Sequence, residues 1–143
     1  MKITINPHIL IQDSSAQVFA WLTAIEKWHQ WGGNLVRMEQ ISAGALQVGT
    51  QIRQVTKGGR KSSESIVEVT EYVQDQAFGI KGSNLEGVFT LESLESGTRL
   101  HARFEVKATG LAAVIYRLML QRFVMNDLRR FKKMVESKQN NVV

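Results

Sequence analysis

Asp127 is the titratable residue whose position in this 143-residue chain best suits a chemical site. If the segment after Gly110 is helical, about 100° of rotation per residue sets Asp127 near the centre of an apolar stripe, between Leu120, Phe123 and Phe131. Apolar surroundings disfavour an ionised carboxylate, so the group could bond a ligand hydroxyl or serve as general acid or base. The competing reading is a salt bridge to Arg130 or Arg117 at the helix edge. Gln54 and Tyr116 are lesser polar candidates, each able to orient a polar group in an apolar cavity or to sit at its rim. The second feature is Trp28-His29-Gln30-Trp31-Gly32-Gly33. Two indoles three residues apart share a helix face. They could wall a pocket entrance with apolar area and N–H donors, Gly32-Gly33 letting the wall move, or they could simply anchor short helices to a sheet.

Other chemistries are excluded by residue type. There is no cysteine, which removes thiolate zinc sites, iron–sulfur clusters, cysteine nucleophiles and redox pairs. His8, His29 and His101 fall in no metal-ligand spacing, and His29 is expected to be exposed, so neither a metal nor any other cofactor is expected. Gly58-Gly59 lacks the following Lys-Ser/Thr of a phosphate loop, and Ser14-Ser15 reads as a helix cap rather than a nucleophile.

The elements that must position these residues follow from periodicity. With 43% hydrophobic and 22% charged residues the chain has the balance of a folded soluble domain, and no repeat or linker divides it, so one domain over 1–143 is expected. Ile3, Ile5, Ile9 and Ile11 form a β-branched opening strand broken at Pro7. Asp13-Ser14-Ser15 caps a short helix carrying Val18, Phe19 and Leu22, and a second short helix runs from Ile25 to Trp31. Six strands then alternate with turn residues: Leu35 to Ile41, Thr50 to Lys57, Arg60 to Val73, Ala77 to Gly82, Glu86 to Leu94 and Thr98 to Lys107. Gly58-Gly59 marks a hairpin between the second and third of these. After Gly110 a helical pattern runs to about Lys138. Its main stripe is Leu120, Val124, Leu128, Phe131 and Val135, widened by Tyr116, Phe123 and Met134. This order predicts an α+β fold in which a curved antiparallel sheet buries one face against one helix.

Several residues in this order resemble the START-related (SRPBCC) superfamily, particularly its polyketide cyclase/dehydrase-like members. They are Ile11 before a small polar cap, Val18-Phe19 with Leu22, Trp31, Val48-Gly49, Val69 with Glu71, Gly97-Thr98, Leu128, Phe131-Lys132 and Glu136. The resemblance implies a helix-grip fold: a curved seven-stranded antiparallel sheet, two short helices, and a long C-terminal helix across the concave face, enclosing an apolar cavity. It further implies a range of functions, from lipid and hormone binding and intracellular carriage to polyketide cyclisation and chaperone regulation, without selecting one.

Strand parity turns Val36, Met38, Ile52, Gln54, Val67, Val69, Phe78, Ile80, Phe89, Leu91, Leu100 and Phe104 inward. The candidate ligand contacts among these are Ile52, Gln54, Val69, Phe78, Ile80, Phe89, Leu91 and Phe104. Trp31 and, from the long helix, Tyr116, Leu120, Phe123 and Asp127 complete the set. Most would be core in any two-layer fold. A small-molecule pocket usually holds at least about 300 Å³, and left empty it would cost roughly 7 kcal/mol, so either water and ligand fill it or large side chains shrink it.

The net charge of +5 is carried largely by the long helix, through Arg117, Arg122, Arg129, Arg130, Lys132, Lys133 and Lys138, and by Lys57, Arg60 and Lys61 at the hairpin. Both are expected to be solvated surfaces. Nucleic-acid binding is not expected, because the helix aromatics are assigned to the buried side. Neither membrane docking by this helix nor stable insertion is expected, since its outer face is assigned no exposed apolar residues and nowhere do about 18 apolar residues run together. The expectation is a cytoplasmic protein that binds or carries a small hydrophobic ligand, aromatic or lipid-like, in an internal cavity. A polyketide cyclase/dehydrase-type enzyme and a protein-interaction module with a collapsed cavity are the alternatives; whether the protein is an enzyme stays open.

Overall fold

Pro7 shapes the start of the sheet. Lacking an N–H, it divides the first apolar run into β1 (Lys2–Ile5) and β2 (His8–Ile11), which pair in succession along one partner, β8 (Gly97–Lys107). The computed structural model describes residues 2–108 and 110–140, with side chains as far as Ser137. After β2, the Ser14 hydroxyl accepts from the Gln17 N–H at 3.2 Å and caps α1 (Ser15–Leu22), which buries Val18, Phe19 and Leu22. A 3-10 helix follows over Ile25–Gln30. The Trp28 Nε1–H ties it back by donating to the Leu22 carbonyl at 2.7 Å.

The other strands are β3 (Leu35–Gln40), β4 (Gln51–Gly58), β5 (Lys61–Val73), β6 (Ala77–Lys81) and β7 (Leu85–Leu94). All pairing is antiparallel in the order β1-β8-β7-β6-β5-β4-β3, with β2 continuing the edge position beside β8. The expected seven-stranded sheet is therefore present, its first position split at Pro7. The hairpin closes one residue later than expected. Gly58 pairs with Lys61, so the turn is Gly59-Arg60, with Gly59 at φ +64°.

Two irregularities bend the sheet. Register shifts fall between Leu35 and Arg37 in β3 and between Val69 and Glu71 in β5. The first corrects the parity reading: Leu35 and Met38 turn inward while Val36 is exposed. One extra residue reverses the alternation on one side of a bulge. Gly87, opposite Phe104 in β8, leaves the space that the Phe104 ring occupies; a Cβ there would lie 2.5 Å from that ring.

The long helix, α2 (Ala112–Asn140), is anchored by its carboxyl-terminal half. Leu128, Phe131 and Val135 are fully buried there. Lys132 Nζ donates to the Leu10 carbonyl at 2.7 Å, and Glu136 accepts from the Gln12 N–H at 2.8 Å. The amino-terminal half buries only Ala113 and Val124 well, and Tyr116 and Phe123, expected on the packed side, are each more than 40% exposed. A helix apolar around its circumference can cover a sheet with one face only. Among the described residues, no helix is long and apolar enough to cross a membrane.

Candidate ligand-binding cleft

Between the amino-terminal half of α2, the 3-10 helix and the inner sheet face lies a cleft of about 150 Å³. Its floor is buried: Trp28, Trp31, Met38, Ile80, Phe89 and Val124. Asn34, Leu85 and Phe123 are exposed and form the mouth. The aromatic rings set the shape. Trp31 lies 4.9 Å from Trp28 and 5.1 Å from Phe131 between ring centroids, and Phe89 meets Trp28 at 5.8 Å and Phe104 at 5.6 Å, mostly edge to face. The volume is about half of what a drug-sized pocket needs because these large rings occupy the space beneath the helix.

Of the residues expected to meet a ligand, Trp31, Gln54, Ile80, Phe89, Phe104, Leu120, Phe123 and Asp127 line this cleft. Ile52, Val69 and Phe78 do not; they are packed inside the core. Leu91 packs against the core and borders a concavity on the sheet's other face. Tyr116 lines a separate groove with Lys107 and Ala108. Leu35, Asn34 and Leu85 were not anticipated. Leu35 is turned inward by the bulge, and Leu85 opens a strand that the sequence pattern begins at Glu86.

The polar groups are few. Trp31 Nε1 is buried without a hydrogen-bond acceptor among the described residues, whereas Trp28 Nε1 is satisfied. The Asp127 carboxylate accepts through Oδ1 from the Gly33 N–H at 3.0 Å and from the Arg130 guanidinium. Arg130 Nε also donates to the Trp31 carbonyl at 3.0 Å. Asp127 and Arg130 thus clasp the Trp31–Gly33 segment to α2; the expected ion pair is made with Arg130, and the carboxylate also borders the cleft. Burial pushes its carboxyl above the ordinary aspartate range; the Gly33 N–H and the Arg130 charge pull the other way. Of these, burial is the largest effect, ahead of the Gly33 N–H and then of Arg130.

Among the described residues, Asp127 is the only titratable side chain that lines the cleft. His29 is exposed, its Nδ1 3.1 Å from the Glu26 carbonyl, and Tyr116 precedes Asp127 by eleven residues, about 16 Å along a helix. A concavity of about 540 Å³ on the opposite sheet face is larger, but Glu71, Glu92, His101 and Arg103 line it, which makes it a solvated surface. Among the described residues no group of three His, Cys, Asp or Glu side chains could hold a metal ion.

The same fold recurs in solved structures. The di-domain aromatase/cyclase StfQ from the steffimycin biosynthetic pathway superposes with a TM-score of 0.80 at 12% identity over 98% of this chain, which spans 52% of StfQ. A Staphylococcus aureus protein of unknown function aligns at 0.82 with 12% identity, covering 99% of this chain and 98% of its own. The Zhui aromatase/cyclase of Streptomyces sp. R1128 aligns at 0.75 with 12% identity, covering 95% and 94%. Identities this low establish the helix-grip architecture and nothing finer. No curated protein matches the chain significantly by sequence. The profile of the polyketide cyclase / dehydrase and lipid transport family matches residues 2–136, nearly the whole chain, and the protein belongs to that family.

Proposed function

We propose that the protein binds a small apolar ligand, one aromatic ring or the end of an acyl chain, with a hydrogen-bond acceptor directed at the Trp31 indole. The observation that carries this reading is a cleft of about 150 Å³, apolar in its lining, whose wall includes Trp31, the buried N–H of which has no acceptor among the described residues. A dry apolar cavity of about 150 Å³ accommodates benzene. An unsatisfied buried donor costs about 1–3 kcal/mol, so an occupant that covers the apolar floor and, as the Trp31 wall gives, reaches the indole N–H is favoured. Isothermal titration with benzene, naphthalene and benzaldehyde tests the reading. Saturable binding of the one-ring compounds by folded protein, weaker for two fused rings, is expected; no saturable binding of any would sink it.

A cyclase/dehydrase activity has one observation in its favour, the half-buried Asp127 with its raised pKa. One carboxyl can take up a proton and return it, but among the described residues the charged group at its side is Arg130, whose guanidinium stays protonated and cannot serve as its complementary base. Loss of water from a β-hydroxy aryl ketone, followed by absorbance and abolished by Asp127→Asn, would establish that activity over simple binding.

A further inference from the structure

The sequence pattern assigns the outer face of α2 to solvated charge, and the structure corrects this. Leu111 is 91% exposed, and Val114, Ile115, Leu118 and Met119 are each 64–66% exposed. At about 100° per residue, Ile115, Leu118 and Arg122 lie within about 60° of one another on the helix, and Leu111, in the turn just before it, extends the same line. Arg129 and Lys133 continue the same line toward the carboxyl end. The face is thus apolar for its first turns and cationic beyond. Within 112–137 the helix has two acidic residues: Asp127 lies on the opposite side, engaged by Gly33 and Arg130, and Glu136 falls on this line only at its carboxyl end, engaged by Gln12 and Lys132. Arg117, Arg122, Arg129 and Lys133 are exposed and, among the described residues, paired with no carboxylate.

A contiguous exposed apolar face marks a surface that something covers. We infer that the amino-terminal half of α2 docks on an anionic lipid bilayer, its leucine, isoleucine, valine and methionine side chains entering the headgroup boundary and its arginines lying at the level of the phosphates. The charge distribution decides against a second copy of the chain. A parallel isologous pairing of this face would set Arg122 against Arg122 and Arg129 against Arg129, and an antiparallel one centred on Ile115 would carry both past the start of the partner's helix, whereas anionic headgroups complement them. The helix would lie in the interface, not across it. Phe123 and Leu120 continue the patch into the cleft wall, so docking would set the cleft mouth against the lipid. This inference needs no ligand in the cleft and stands or falls separately from the binding proposed above.

Co-sedimentation of the full chain with vesicles of phosphatidylcholine alone, or of phosphatidylcholine mixed with phosphatidylglycerol, tests it. Binding to the mixed vesicles, weak for the neutral ones and suppressed by salt, is expected. Leu118→Gln and Ile115→Gln, both at exposed positions that leave the core intact, should each weaken partitioning about tenfold, and Arg122→Gln about fivefold. Absence of binding to the mixed vesicles, or binding indifferent to salt and to all three substitutions, overturns the inference. So does concentration-dependent self-association, seen by sedimentation velocity and abolished by Leu118→Gln, in a protein that ignores vesicles.

Discussion

Trp31→Phe separates the apolar part of the cleft from its unpaired donor. In the folded protein the indole N–H is buried without an acceptor among the described residues, a condition costing about 1–3 kcal/mol, so its removal relieves the fold. Loss of the second ring gives up roughly 1–2 kcal/mol of burial at about 25 cal/mol per Å², while a phenyl ring keeps contact with Trp28 and Phe131, now 4.9 and 5.1 Å away. These amounts oppose one another, and stability in urea should stay within about 1 kcal/mol of the parent. Trp28→Phe is the internal control. Its N–H is bonded to the Leu22 carbonyl at 2.7 Å, and deleting it strands a buried acceptor, so this variant should lose about 1–3 kcal/mol beyond its lost packing. Affinity should behave oppositely. A neutral hydrogen bond contributes about 0.5–1.5 kcal/mol, so benzaldehyde should lose roughly 2-fold to 12-fold in affinity for Trp31→Phe, while benzene, which has no acceptor, changes little. Calorimetric titration of both compounds into both proteins measures the difference. A benzaldehyde preference that persists unchanged in Trp31→Phe would refute the assignment of this N–H to the ligand.

Other outcomes are equally specific. Gly97 has φ +147°, and a Cβ there would collide with the Ile11 carbonyl at the β2–β8 junction, so Gly97→Ala should cost more than about 2 kcal/mol in urea unfolding; a loss under 0.5 kcal/mol would show that the two strands can separate without penalty. Gly87→Ala must displace the Phe104 ring, which lines the cleft, and should both destabilise by about 1–3 kcal/mol and weaken one-ring ligands; unchanged affinity would argue that Phe104 does not shape the site. Because burial holds the Asp127 carboxyl above its ordinary 3.8, the folded protein binds that proton more tightly than the unfolded chain. Its contribution to stability is therefore full below pH 3.8 and is lost as pH rises through the raised folded value. Unfolding free energies across that window should show a downward slope with pH that Asp127→Asn removes; a parent-minus-variant difference independent of pH would contradict it.

Much of the architecture was legible because it follows from neighbours in the chain. Alternation of Leu100, Ala102, Phe104 and Val106 places β8 within one residue of its observed start, and the cap chemistry of Asp13-Ser14 starts α1 where expected. Pro7 shows its break by lacking an N–H. The terminal stripe through Leu128, Phe131 and Val135 is buried as its spacing requires. The site was less legible. A single bulge between Leu35 and Arg37 exchanges Val36 for Leu35 at the cleft, and no local pattern announces it.

The sequence by itself determined which segments are strands and helices, that the chemistry employs no thiol, and that Asp127 and the paired tryptophans are its candidate polar features, since each depends on residue type and short-range spacing. Only the tertiary structure decided how these meet. Gly33 and Asp127, 94 residues apart, are joined by one hydrogen bond; the rings under α2 reduce the cleft to about 150 Å³; and the amino-terminal half of that helix leaves its outer apolar face in water. Each outcome depends on the volume and direction of side chains brought together from distant segments, and periodicity along a single element cannot encode them.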